Sequence, residues 1–487
     1  MTRAGTEVER NEIVGAVLEE FRGLSAMPHG SGNERAAGAY LMERLRRLAL
    51  APVMDGAGNV MADVPASPGH EDRPLLILQG HMDMVCAVRP DSGFDPKRDA
   101  PHVRVDGGLL HTDGTSSLGA DNDLGNAVVL ALLERGAVHG PLRILFTTGE
   151  EVGLKGAHQV DPAWLSGAWG LLNTDGFHLG RAIVGSAGGR RETYARPLER
   201  VPARGTMGWR ISITGGTGGH SGDDIHKGRL NAVRALAGFL WKLWRELPFQ
   251  IGDLAGGTAH NAIAAGASCR LVTGDEGAAV LPGAVEALRT ELVGRYGETD
   301  PHARVELEPV PLPETVWAQE AARDTCALLT TLFHGVYEAH PRFPDVVGAS
   351  SNVAKVWERE GQVEVLAFTR CATYGEEKAL FAQHDGAAAD RGFRLAKEER
   401  YPSWPGDPDS RLAALLAEGF RETSDRTVDV TAVHVGLELS VLGAKAPGMV
   451  MLSTGPEILD AHSVDERAPL EGLPDYAAAL AYVLERV

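Results

Sequence analysis

The stretch PLRILFTTGEEVGLKG, residues 141–156, joins an apolar run to two adjacent glutamates. PLRILFTTG reads as a buried strand, with β-branched and apolar residues closing on a glycine. Glu150 and Glu151 then stand where such a strand would leave its sheet. Successive side chains on an extended chain point in opposite directions, so a plain surface turn would usually expose at least one of them. The pair is either a solvated turn or two carboxylates with different tasks.

The first third of the chain alternates such strands with helices. NEIVGAVLEEFRGL and NERAAGAYLMERLRRL read as amphipathic helices, PLLILQG and WGLLNTDG as further buried strands, and NAVVLALLERG as a helix. That order implies an α/β fold, a mixed, largely parallel sheet sandwiched by helices. Around Ala187–Arg200 the composition shifts to Gly, Arg and Pro, and a second, α+β unit begins. There GWRISITGG, ASCRLVTG and ARVELEPV read as strands, and GRLNAVRALAGFLWKLWREL and AVEALRTELVGRYG as helices. After YPSWPGDPDS the helix–strand–helix style returns. The expected layout is a catalytic domain in two parts, residues 1–190 and 399–487, interrupted by an inserted domain at 191–398. No internal repeat and no low-complexity tract is visible in the sequence.

At 487 residues the chain is too long for a single ordinary core, in keeping with two domains. Hydrophobic content of 44% and charged content of 23% are those of a soluble globular protein. A net charge of −19 argues against a nucleic-acid binder, which would carry a basic stripe; it serves solubility instead. No segment holds the roughly 18 uninterrupted apolar residues of a membrane span. The N-terminal MTRAGTEVERNEIVGAVLEEF carries acids where a signal peptide would carry its apolar region. Cys86, Cys269, Cys326 and Cys371 are widely spread and form no CxxC, which fits a reduced, cytoplasmic protein without a disulfide framework or a thiolate zinc site. A metal here would be held by His, Asp and Glu.

Four short acidic or His-bearing stretches lie at strand ends or in the loops after them. LQGHMDMV ends a strand with His81 and Asp83, which point to one side while Met82 points away. SSLGADNDLGNAVV places Asp121 in a Gly-rich loop before a helix, the glutamate pair follows, and LLNTDG ends another strand with Asp175. Each has a plain reading alone: a strand-end Asp caps or turns, and a lone His is satisfied within a core. Four such stretches together can reach the crevice beyond the carboxyl ends of strands, where sites form in open α/β sheets. Imidazoles and carboxylates without thiolates suit a catalytic zinc site, and cobalt and manganese also fit. His111 and Asp113, in LLHTDGTSS, repeat the H-x-D spacing within a Gly-rich loop and are read as structural.

In order, GHMDMV, GADNDLG, TTGEEVGL, LNTDG and AHSVDER resemble the metal-site motifs of the aminoacyl-histidine dipeptidases, also called peptidase D or Xaa-His dipeptidases. These belong to a wider clan of di-zinc aminopeptidase-like dipeptidases and deacylases. The likeness covers nearly the whole chain, including SAMPHGSGNERAAG and GGTGGHSGDDIHKGRLNA. It implies two zinc ions about 3–4 Å apart. Asp121 would bridge them, His81 and Asp175 would hold one, and Glu151 and His462 the other. Asp83 would orient the His81 imidazole. Glu150 would bind no metal; it would take a proton from the metal-bridging water and pass it to the leaving amine. The chemistry agrees with that division, since a base must stand near the cations without being captured by them. AHSVDER lacks the two prolines of the family's commoner Pro-His-Ser-Pro-Asp-Glu-Arg, which puts loop stiffness in question and leaves the ligand His462 in place.

The resemblance makes the insert a lid and dimerisation domain, admitting a homodimer through it. His220, in GGTGGHSGDD, would stabilise an oxyanion, within one subunit or across a dimer; its plain alternative is to cap the following helix. The same stretch fails the dinucleotide fingerprint, because the third glycine falls on Ser221. Asn261, in GGTAHNAI, matches a substrate-contacting position, while His260 stands where the family would carry a basic Arg. Arg370, in FTRCAT, is a candidate for a substrate carboxylate or a surface salt bridge. His434 and Glu438 read as pocket-lining or structural rather than as a further metal pair. The resulting expectation is a cytoplasmic di-zinc metallopeptidase acting on dipeptides, Xaa-His and broader. A deacylase of N-acyl amino acids and a non-catalytic binding protein of the same fold are the alternatives. Neither nucleic acid nor membrane is an expected partner.

Overall fold

Strand Leu142–Thr147, the start of the opening stretch, lies inside an eight-stranded sheet. Its order is Val53–Met54, Val60–Val64, Leu142–Thr147, Leu75–His81, Ala168–Asn173, Val450–Ser453, Arg181–Ser186 and Asp429–Val433. The four strands from Leu142–Thr147 to Val450–Ser453 run parallel, and antiparallel pairs flank them, giving a mixed sheet with a parallel centre. Central strands of a covered parallel sheet are buried on both faces and read as continuous apolar runs. Leu75–His81 fits this, buried from its second residue onward. Helix Ala120–Glu134 packs on helix Glu7–Leu24 and against this sheet, and it is buried from Ala120 through Leu132. That explains why NAVVLALLE lacks a polar face. Gly125 permits this closeness: a Cβ there would lie 2.3 Å from the Thr174 carbonyl oxygen.

This computed structural model describes residues 7–487; residues 1–6, the start of the N-terminal segment read against a signal peptide, lie outside the described residues. Among the described residues two compact units emerge, one of residues 7–186, 404–433 and 437–487, the other of 187–403 and 434–436. Among the described residues no helix is long and apolar enough to cross a membrane.

The second unit is built on a nine-stranded sheet whose main path runs Arg304–Val310, Met207–Thr214, Ala267–Thr273, Gln250–Gly256, Val347–Arg359, Gln362–Cys371, Gly188–Pro197 and Arg394–Tyr401. Its two halves share one chain path. Strand Met207–Thr214, helix Ala232–Leu243, strands Gln250–Gly256 and Ala267–Thr273, helix Gly277–Tyr296 and strand Arg304–Val310 make the first. Strand Gly188–Pro197, helix Gln319–Thr331, strands Val347–Arg359 and Gln362–Cys371, helix Tyr374–Ala389 and strand Arg394–Tyr401 make the second. Counted outward from the antiparallel seam at Gly256 and Val356, each half places its strands in the order second, third, first, fourth. The expectation of no internal repeat is therefore corrected at the level of topology. The halves repeat backbone path rather than side-chain identity, and the first is inserted between the opening strand and first helix of the second. Neither feature leaves a periodic signature.

Candidate active site

The carboxyl ends of the parallel strands bring the predicted residues together. His81, the last residue of its strand, places Nε2 2.9 Å from Asp121 Oδ1 and 3.4 Å from Asp175 Oδ1. His462 places its Nε2 2.9 Å from Asp121 Oδ2 and 3.1 Å from Glu151 Oε1. Asp121 thus offers one oxygen to each of two sets, His81 with Asp175 and His462 with Glu151. Single ligand atoms of His81, Asp121 and Glu151 all lie within 4.8 Å of one another. Glu151 Oε1 and Asp175 Oδ1 are buried and make no hydrogen bond, so two carboxylate oxygens point into the cluster without an aligned donor.

The electrostatics of the cluster call for cations. Burial opposes ionisation of Asp121, but His462 and His81 outweigh it and hold that carboxyl below its usual range. Burial and the Asp121 charge push Glu151 up to about 7 and Asp175 up to about 6. Glu150 is raised well above a normal glutamate, first by burial and then by Glu151. Burial disfavours charge on the two imidazoles, yet neighbouring carboxylates raise His81 well above its ordinary value and His462 to about 11. Four carboxyls share one partly dry space with two imidazoles, and two of their oxygens lack donors. A nitrogen and oxygen donor set of this kind fits zinc or a similar divalent ion.

Several further groups hold this geometry, and of these Ser31, Glu34, Gln79 and Thr147 were not singled out from the sequence. Asp83 was expected to orient His81 through its carboxylate; the closer partner of His81 Nδ1 is the Asp83 main-chain carbonyl at 2.9 Å, with carboxylate Oδ1 at 3.5 Å. That carboxylate accepts the amides of Glu150 at 3.0 Å and Glu151 at 3.3 Å, and the Ser31 hydroxyl at 2.7 Å. Glu34 accepts the amide of Gly149, whose φ of +60° a side chain would resist. The glutamate pair is therefore fixed by its backbone, leaving both side chains available. Buried Glu438 ties Gln79 and Thr147, at 2.6 and 2.8 Å, beneath the same strand ends.

Glu466 joins the last motif to the second. Its carboxylate accepts the amides of Leu118, Gly119, Ala120 and Asp121 at 3.0, 3.1, 2.8 and 3.4 Å, at the start of the helix that carries Asp121. A carboxylate on these amides also complements the helix dipole. His462, four residues earlier, sits at a φ of +63° that costs a non-glycine residue about 1 kcal/mol. Its loop is tied by Ser463 to the Asp460 carbonyl at 2.7 Å, by an Arg467–Asp460 ion pair and by Glu466. Polar ties thus stand where the family's commoner loop has prolines. Glu466→Gln puts an amide NH2 against backbone N–H groups; we expect about 2 kcal/mol of lost stability, read as a fall of about 5 °C in melting temperature.

Comparison with known proteins shows the family. Residues 77–486 match the family model described as peptidase family M20/M25/M40. The chain belongs to this peptidase family. It is 30% identical over 470 residues to the cytosol non-specific dipeptidase of Escherichia coli K12, covering 96% of each chain. The crystal structure of aminoacylhistidine dipeptidase from Vibrio alginolyticus superposes with a TM-score of 0.83 at 28% identity, over 97% of this chain and 96% of that one. The aminopeptidase PepT of Bacillus cereus ATCC 10987 shares the fold at 16% identity, with a TM-score of 0.55 over 97% and 98% of the chains. As a member of the M20/M25/M40 family the protein is a metallopeptidase.

The second unit of this M20/M25/M40 peptidase gathers the remaining candidates. Ser221 donates its amide to the Asn261 carbonyl at 2.7 Å, and His220 bridges to Ala262, so His220 and Asn261 share one corner. Arg370 is 4% exposed, which overturns the surface salt-bridge alternative. Its guanidinium stacks on Phe368 at 4.3 Å, donates to the Tyr401 hydroxyl at 3.0 Å and lies 3.4 Å from His220 Nε2. No carboxylate among the described residues pairs with it. His220 Nδ1 also lies 3.3 and 3.4 Å from the amides of Gly222 and Asp223, a turn-capping contact. Arg191, on strand Gly188–Pro197 and paired with Glu399 at 2.6 Å, reaches within 2.7 Å of His260 Nε2, and burial with that charge lowers His260 to about 4. His434 bonds Ser350 at 2.7 Å, while His111 and Asp113 pair with Asp106 at 3.3 Å and His102 at 2.8 Å. These last three are structural contacts, and Glu438 is bonded as described above.

Proposed function

We propose that this chain hydrolyses unblocked dipeptides, Xaa-His dipeptides among them, with two divalent cations held by His81, Asp121, Asp175, Glu151 and His462, and zinc as the first choice. The observation that carries the reading is the two-sided arrangement on Asp121, with Glu150 next to Glu151 yet in none of its ion pairs. Bound there, the cations would polarise the peptide carbonyl and acidify the attacking water. Glu150 takes the proton from that water on a carboxylate oxygen and later gives it to the departing amine nitrogen. Asp83, by holding the backbone of the pair, keeps the Glu150 oxygens within reach of that transfer.

We assign recognition of the substrate's carboxylate to Arg370, whose buried fork lacks an acidic partner among the described residues and suits bidentate pairing. Asn261 and His220 would contact the peptide, with His220 meeting developing negative charge. Arg370→Lys keeps the charge and loses the fork; KM for dipeptides should rise about tenfold or more with a smaller change in kcat. Dipeptide substrates also accord with the names of the E. coli and V. alginolyticus relatives. A cytoplasmic setting accords with the name of the former and with four free cysteines. The test is a zinc-loaded preparation assayed against dipeptides, tripeptides and N-acetyl amino acids. Cleavage of unblocked dipeptides is the expected result. Cleavage of acetylated compounds alone would establish a deacylase instead.

A further inference from the structure

A cavity of about 430 Å³ opens in the second unit, lined in part by helices Ala232–Leu243 and Gly277–Tyr296. Four of its wall residues are cationic, in a chain whose net charge is −19. Two of them are neutralised locally: Arg229 by Asp224 at 3.2 Å and Lys242 by Glu291 at 2.9 Å. Arg234 and Arg295 are not. Arg234 donates through Nε and an NH2 nitrogen to the main-chain carbonyls of Leu329 and Thr330, at 3.2 and 2.9 Å, at the end of helix Gln319–Thr331. Arg295 rests 5.2 Å from the ring centre of Tyr296. Among the described residues neither has a carboxylate in ion-pair range.

Half-buried Arg234 is held below its ordinary proton affinity by burial, which Tyr296 offsets and the charge of Arg295 reinforces. Partly desolvated Arg234 shares the cavity wall with exposed Arg295, and two like charges on one wall favour a bound anion. His334 adds a donor. Its Nδ1 accepts the Val353 amide at 3.3 Å, and burial holds its pKa near 3, so the neutral ring carries its proton on Nε2. Phe239 and Leu292 supply apolar wall beside these groups. Such a mixture of apolar surface and a few convergent polar groups is that of a small-molecule pocket.

We propose that this pocket binds a small organic anion, its oxyanion group paired with Arg234 and Arg295 and its apolar part against Phe239 and Leu292. The group is a phosphate or a carboxylate, and three probes separate these sources. The full-length protein is titrated calorimetrically with inorganic phosphate, phenyl phosphate and benzoate, at constant ionic strength in chloride. Saturable binding of at least one organic probe is expected, with phenyl phosphate marking a phosphate site and benzoate a carboxylate site. Arg295→Glu, on an exposed helix position, gives Arg234 an internal partner. It should weaken that binding about tenfold or more, leave the melting temperature without probe no lower and leave peptidase activity intact. Absence of saturable binding by every probe would overturn the proposal. So would equal binding or equal thermal stabilisation of wild type and Arg295→Glu, the mark of a non-specific salt effect.

Discussion

Glu150→Gln is expected to lower kcat for dipeptides about a thousandfold while the protein keeps its full metal content and its fold. The substitution exchanges one carboxylate oxygen for an amide nitrogen and changes little else. The backbone of Glu150 is held by the Asp83 carboxylate at 3.0 Å whatever side chain it carries. Its carboxyl joins none of the ion pairs of His81 or His462, so no proposed ligand is lost. What disappears is the group that accepts a proton from water and returns it to the amine. KM should change little, because the step affected follows substrate binding. Near-normal turnover would make another group the base. A parallel loss of metal would make Glu150 a ligand.

Glu151→Ala, one residue later, is expected to do the opposite to the metal. The variant should retain one of two zinc equivalents after dialysis and lose at least about a hundredfold in activity. Glu151 Oε1 lies 3.1 Å from His462 Nε2, is buried, and has no hydrogen-bond donor of its own. Its removal leaves His462 and one oxygen of Asp121 as the remaining pair on that side, too few protein ligands for a stable zinc site. The His81, Asp121 and Asp175 set is untouched and should hold its ion. Metal analysis of both variants, side by side, separates the roles of two neighbours that share a side-chain type.

Which residues meet was legible in the motifs that carry the family resemblance. His81 closes a strand, Glu151 and Asp175 follow strands, Asp121 opens a helix and His462 lies in a loop, and burial of the strands was written in unbroken apolar runs such as PLLILQG. The supports were not legible, because they act through the backbone. Asp83 accepts two main-chain amides, Glu34 one at Gly149, and Glu466 four at the head of a helix. A sequence reveals a carboxylate but not which distant amides it will face. The doubled topology of the second unit was hidden for a related reason. Gly188–Pro197 and Met207–Thr214 occupy equivalent places in the two halves, yet one begins GGRRE and the other MGWRI, and only hydrogen-bonded order relates them. Whether Arg370 was exposed or buried was not legible; its place among Phe368, Tyr401 and Ser221 depends on residues distant in sequence.

In the proposed site Asp121 stands between two cations and Glu150 binds neither. Zinc-soaked crystals measured on both sides of the zinc absorption edge distinguish this arrangement from the alternatives. Two anomalous peaks are expected to flank the Asp121 carboxylate, one against His81 and Asp175 and the other against Glu151 and His462, with no peak in coordination distance of Glu150. A single peak at saturating zinc, or a peak bound by Glu150, would refute the arrangement.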